Sequence, residues 1–347
     1  MTERRLQCVI DPLTMGRALY IGSDASLYVA RGYSIFCSSD RGATWRVDCR
    51  IPSRPHKRLL SAHRLASRLF RQYVGGFAVS TRGVRYAIAR DGIYRAFRGD
   101  LQMRRVFSVS RGSRPLNFTL DPKDRLVFGE YGRNPERHEI MVYISEDEGR
   151  TFDVAFTFAA GSIRHVHNVL YDHDLGKYWV FVGDYNHEPG IGLFDADFSH
   201  LEWLLRGGQD ARVVSAIVED DALLYGTDTE IDQNFIKRLS KKTGTARTLA
   251  TVAGSSLFAT KFGSIRVIST CVEPSDVNTS KAAVLYASSD GEYWEAVQID
   301  SKDRWHPILQ FGTHVLPRSD CRSSWGMFSG QALAGRDGKV SVIAFDL

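Results

Sequence analysis

The chain has 347 residues, 43% apolar, 24% charged and 11% aromatic, a globular composition that excludes disordered and collagen-like classes and leaves two domains or one large repeat array. No apolar run reaches the ~18 residues of a membrane-spanning helix, and five cysteines, an odd number without a C-x-x-C pair, indicate neither a disulfide framework nor a zinc ribbon. The net charge of +5 conceals an imbalance: residues 1–115 carry 22 Lys+Arg against 7 Asp+Glu, and residues 116–347 carry 23 against 33, so one electropositive region is suited to an anionic partner.

In chain order, a strand-like run ends at Tyr20-Ile21-Gly22-Ser23-Asp24, and another, Tyr33–Cys37, leads into Ser38-Ser39-Asp40-Arg41-Gly42-Ala43-Thr44-Trp45. Residues 50–71 then hold seven cations: Arg50, Arg54, Lys57, Arg58, Arg64, Arg68 and Arg71. Leu59, Ala62, Ala66, Leu69 and Tyr73 fall near helical spacing, which predicts a short basic amphipathic helix in an insertion at about 50–73. Its alternatives are a solvated insertion, or a surface docking to a partner or peripherally to a membrane. Aromatics are few among its cations, so no nucleic-acid partner is expected.

Val127-Phe128-Gly129-Glu130 repeats the strand–Gly–acid pattern, as do Phe181-Val182-Gly183-Asp184 and Tyr225-Gly226-Thr227-Asp228. Ile140–Ile144 leads into Ser145-Glu146-Asp147-Glu148-Gly149-Arg150-Thr151-Phe152, a second copy of S-x-D-x-G-x-T-aromatic. Ala283–Ala287 leads into a shortened one, Ser288-Ser289-Asp290-Gly291-Glu292-Tyr293-Trp294. Each reads as a hairpin whose Asp caps turn amides while Gly supplies a positive φ.

These three hairpins resemble the Asp-box, or BNR, repeat of sialidase-like β-propellers. The resemblance implies an all-β fold, a single β-propeller of four-stranded blades over residues 1–347, with the motif turns as scaffold. The spacing agrees: Asp40, Asp147 and Asp290 are 107 and 143 positions apart, two and three units of about 50 residues. Seven blades are expected, at 5–50, 60–110, 112–158, 162–206, 210–252, 254–300 and 305–347; six is the alternative.

In a propeller, loops between second and third strands share a rim with the links between blades. That rim collects Arg111, Arg114, Glu130, Tyr131, Arg133, Arg137, Arg164, His165, His167, Asp184, Glu188, Arg212, Asp228 and His314. Such polar density is costly unless the groups pair or bind something. His165 and His167, at i and i+2 of a strand, point the same way and are candidate ligands of a divalent metal. The pair also looks like the metal-binding histidines of oligogalacturonate lyases. Glu130, Tyr131, His165, His167, Asp184 and Asp228 are the candidate catalytic groups. Arg111, Arg114, Arg133, Arg137, Arg164, Glu188, Arg212 and His314 are the candidate substrate contacts, arginine being the residue that grips carboxylates in pairs. Asp195-Ala196-Asp197 lacks an α/β context and reads as background, and no Walker A or G-x-G-x-x-G sequence is present.

Two function classes follow. One is a carbohydrate-active enzyme cleaving an acidic oligo- or polysaccharide at the central funnel, as a glycoside hydrolase or a polysaccharide lyase. The other is a non-catalytic propeller, a glycan-binding or protein-assembly platform carried by the basic strip. The opening residues show no signal-peptide pattern, so a cytoplasmic location is expected, or a secreted one if the sequence is a mature form.

Overall fold

The computed structural model describes residues 6–346. Five sheets of blade size follow one another along the chain. The first is Arg17–Ile21, Leu27–Arg31, Ser34–Ser38 and Arg46–Arg50, with Arg318–Ser319 added parallel to its first strand. The second is Gly76–Val79, Arg85–Ala89, Gly92–Ala96 and Arg104–Ser108. The third is Thr119–Leu120, Leu126–Gly129, Ile140–Ser145 and Asp153–Phe158. The fourth is Val166–Asp172, Lys177–Val182, Gly190–Phe194 and Leu201–Arg206, and the fifth is Val213–Val218, Ala222–Thr227, Asn234–Ser240 and Ala246–Val252.

The sixth sheet departs from the expected count of seven, or alternatively six, separate blades. It has eight strands. Ser256–Phe262, Ile265–Val272, Ala282–Ser288 and Glu295–Ser301 form one run; Gly312–Val315, Trp325–Gln331, Lys339–Phe345 and Cys8–Met15 form the other. The two runs are welded because Ile265–Val272 extends far enough to pair Cys271 with Thr313 and Val272 with Gly312.

Burial explains why each sequence segment takes its place. Lys177–Val182 is buried at every position but the first, as a strand covered on both faces must be, whereas the outer strand Leu201–Arg206 has no fully buried residue and exposes Glu202 and Arg206. The apolar clusters lie between neighbouring sheets. Ile35, Phe77 and Ala87 join the first to the second, Val142 and Val180 the third to the fourth, and Trp179 and Tyr225 the fourth to the fifth. Ile21 and Val29 meet Val267 and Met327 of the sixth, so the array closes into a ring. Each fully buried side chain of this size contributes about 1.5–3 kcal/mol.

The three motif turns link the third and fourth strands of their runs and share a bonding pattern. Ser38, Ser145 and Ser288 donate to the carboxylates of Asp40, Asp147 and Asp290, and accept from the amides of Gly42, Gly149 and Gly291. Asp40 and Asp147 also accept from the Thr44 and Thr151 amides and hydroxyls. These bonds hold both carboxyls down at about 2.

The insertion carries two helices, α1 (Pro55–Ala62) and α2 (Arg64–Phe70), where one was expected. His63 breaks them apart by taking an extended conformation and accepting from the Ala66 amide. The helices are not uniformly solvated. Arg68 is buried and bonds Asp303 and Asp337, anchoring the insertion to the sixth sheet. No helix among the described residues is long and apolar enough to cross a membrane.

Candidate functional site

Antiparallel order sorts the loops. Links between second and third strands and links between sheets lie on one rim, and the motif turns on the other. Tyr131, Asp184, Asp228 and Glu273 all follow second strands, while His165 and Arg212 precede first strands, so one rim receives them all. The Tyr131, His167, Asp184, Arg212, Asp228 and Glu273 side chains line a central cavity of about 650 Å³.

Local irregularities aim these groups. Val166 pairs with Val182 and Asn168 with Phe181, which leaves His167 as a bulged residue turned out of the ladder. Gly183 makes the corner before Asp184 at φ +74°, where an added Cβ would lie 2.4 Å from the Glu188 carbonyl carbon.

Asp184 is the hub. Its Oδ1 lies 3.0 Å from His167 Nε2, 3.4 Å from His165 Nε2 and 3.6 Å from Arg212 Nε; Arg164 Nη1 is 3.1 Å from Oδ2. The Nδ1 atoms of His165 and His167 are each 2.8 Å from a backbone carbonyl, of Gly132 and Val213. A carbonyl only accepts, so each Nδ1 carries a proton, and in the neutral ring each Nε2 presents a lone pair toward the carboxylate. Two lone pairs and an anion meeting in a buried space call for a cation or a proton between them. His165 Nε2 is buried without a hydrogen-bond partner, and the three ligand atoms lie within 4.8 Å of one another. Nδ1–H donation to a carbonyl is the arrangement that orients metal-ligating histidines. The donor set therefore fits a divalent cation.

Charge around the hub favours the same conclusion. Asp184, Asp228, Glu230 and Glu273 bring four carboxylates; Arg164 and Arg212 bring two guanidiniums. Arg212 is placed 3.8 Å from Asp228 and 2.5 Å from Glu230. Burial alone would raise the Asp184 carboxyl, but with the cation's place taken by protons on His165 and His167 Nε2 those two contacts hold it well below the usual range. Asp228 is pushed up to about 6 by burial, with Arg212 opposing and Glu273 adding. Burial, then Asp184 and Asp228, pushes the Tyr131 phenol up to about 12. The Tyr131 ring lies 4.4 Å from that of His165.

Several expected site residues stand elsewhere. Glu130 and Tyr131 do not face each other: Glu130 turns to Arg111, the Met141 amide and the Tyr143 hydroxyl, because neighbouring residues alternate sides. Arg111 is thereby spent on Glu130 outside the cavity lining. Arg133 is exposed. Arg137 bonds Glu188, which also accepts from the Arg164 amide, so both hold the rim loops rather than the cavity. His314 is fully buried within the sixth sheet, 2.8 Å from Asp300, because Val315 beside it takes the cavity face. Arg114 does line the cavity, 4.5 Å over the Tyr73 ring.

Sequence reasoning missed Glu230 and Gln209. Glu230, two residues past Asp228, follows from strand alternation; Gln209, whose amide donates to the Asp184 carbonyl, sits in a 3-10 turn without a signal. Arg17 and Tyr73 also line the cavity and were unmarked as site residues.

No protein-family model matches this chain, and no curated protein matches it in sequence. Similarity appears among solved structures. An oligogalacturonate lyase in complex with manganese superposes with a TM-score of 0.60 at 10% identity, covering 98% of this chain and 91% of that one. A chain of a mitotic checkpoint complex gives 0.59 at 11% identity, covering 99% and 93%. The GH74 xyloglucanase from Xanthomonas campestris gives 0.58 at 13% identity, covering 85% of this chain and 47% of that one. At these identities the likeness is one of fold, a β-propeller arrangement.

Proposed function

We propose that the protein is a carbohydrate-active enzyme that cleaves an acidic glycan in the central cavity, with β-elimination at a uronate as the chemistry its residues suit best. The observation that carries this reading is the convergence of His165 Nε2, His167 Nε2 and Asp184 Oδ1 beside an elevated acid, Asp228. Two of the three compared folds belong to an oligogalacturonate lyase and a xyloglucanase, which supports a glycan substrate.

His165, His167 and Asp184 would hold a divalent cation, which when bound supplies positive charge against the substrate carboxylate and lowers the acidity barrier at C5. Asp184, engaged by four basic side chains, suits a ligand rather than an acid or a base, and Asp228 with Tyr131 supplies the base and the acid of an elimination. Asp228, ionised above pH ~6, takes the C5 proton. The C5–H electrons form the C4–C5 double bond as the C4–O4 bond breaks, and the leaving oxygen takes a proton from Tyr131, which burial keeps neutral. Arg114 lies on the cavity wall to hold a second carboxylate.

The three motif turns have the bonding expected of Asp boxes. The test is product mass spectrometry on acidic oligosaccharides with and without chelator. Unsaturated products without added water, lost with chelator and in His165→Ala, are the expected result. Hydrated products would move the assignment to a hydrolase. No cleavage with unchanged binding by His165→Ala would leave a non-catalytic platform.

A further inference from the structure

A second cavity, of about 720 Å³, lies between the helical insertion and the first and sixth sheets. Its wall holds Arg17, Arg31, Arg50, Arg58, Arg64 and Arg68, and a single carboxylate, Asp337. Asp337 is already taken by Arg64 at 2.9 Å and Arg68 at 3.1 Å. Among the described residues, Arg17, Arg31, Arg50 and Arg58 have no carboxylate within ion-pair distance. The rim of the candidate site is different: there Arg137, Arg164 and Arg212 each hold an acid.

Arg31 bonds the Met15 carbonyl and the Thr14 hydroxyl, whereas Arg17, Arg50 and Arg58 line the space without counter-charge, an arrangement that an anion joining them would relieve. Arg17 carries the sharpest form of this strain. Its Nη1 donates to Gln331 at 2.7 Å and its guanidinium lies 4.8 Å from the Tyr73 ring centre, but its Nε is buried without a partner. Burial, with Arg114 adding, lowers its pKa to about 10, and Tyr73 opposes. Ser53, Ser61 and Ser67 also line this wall.

We propose that this cavity binds a multiply charged anionic ligand, its clustered anionic oxygens bridging Arg17, Arg50 and Arg58. Phosphate esters and adjacent carboxylates of an acidic sugar share that chemistry. By strand order the cavity opens on the same rim as the His165–His167–Asp184 cluster, and Arg17, Tyr73 and Gln331 line both spaces. The inference does not need the cleavage reading to hold.

The test is calorimetric titration of the chelator-treated protein with inorganic pyrophosphate and, separately, with a uronic acid disaccharide. The parent is expected to bind at least one probe, with affinity falling as salt rises. Arg50→Gln/Arg58→Gln is expected to weaken that binding at least tenfold while melting at the parent's temperature, since both side chains are exposed. Arg98→Gln, an exposed arginine outside the cavity, is expected to bind as the parent does. Preference for one probe names the source of the anion. Failure of both probes, undiminished binding by the double variant, or equal weakening by Arg98→Gln would overturn the proposal. Manganese binding and turnover are read separately, so the two proposals fail separately.

Discussion

Asp40, Asp147 and Asp290 on one rim, and Asp184, Asp228 and Glu230 on the other, are the same functional group under opposite arrangements. The first three are satisfied within their own turn, by partners two to four residues away. The second three take partners from other loops and sheets: Asp184 from His165 and Arg212, Glu230 from Tyr185 and Arg212. A self-contained turn can be copied along a chain because it needs nothing from its surroundings. A convergent cluster exists once, where different loops meet. A repeat whose bonds close on themselves therefore marks scaffold, and the site lies where repeated acids take partners from other loops.

The largest break in this comparison is expected from Asp184→Ala. It leaves Arg164 without its carboxylate and takes one of three from Arg212 around a buried vacancy, so urea unfolding should show a loss of about 3–5 kcal/mol. A loss comparable to that of a motif-turn acid would abolish the distinction. Next is His167→Ala, expected to reduce manganese affinity at least a hundredfold by calorimetry while circular dichroism stays that of the parent.

The third sharpens the contrast within the convergent rim. Asp228 has a raised carboxyl, so its favourable neutral form is retained below the unfolded value of ~3.9 and lost as pH rises through about 6. Asp184 is lowered and acts with the opposite sign, its contribution lost only as pH falls below the ordinary carboxylate range. Stability measured from pH 4 to 6 should therefore decline on the order of 2–3 kcal/mol through Asp228, and Asp228→Asn should flatten that decline. A parent without it would remove the assignment of Asp228 as the base. The smallest effect is expected from Asp147→Ala, about 1 kcal/mol by urea unfolding, because its turn stays open to water.

The propeller arrangement was legible because it rests on local repetition: the strand–Gly–acid pattern and the motif hairpins each lie within a few residues. Asp184 and Asp228 were reachable through that pattern, and His165 with His167 through their spacing. Glu130 was misplaced because the pattern names the residue after Gly, while strand alternation sends Tyr131 to the cavity. His314 was misplaced for the same reason, Val315 being the cavity residue. The fused sixth sheet was hidden because strand extent past Thr270 is set by packing against Gly312 and Thr313, not by local composition. The pairing of Arg17 with Tyr73 has no local signature, since the two come from a strand and from the end of the insertion.

The sixth sheet takes Cys8–Met15 as its outer strand against Lys339–Phe345. This pairing fixes the order of events during synthesis. Cys8–Met15 is made before its partner, which follows after on the order of tens of seconds of elongation. Through that interval the strand has no native ladder, and the last sheet cannot close on the first. The protein is thus latched rather than zipped: most intersheet cores can assemble as they are made, while the ring as a whole must wait for its final strand. Chains stalled before Lys339 would leave the Cys8–Met15 strand without its ladder partner.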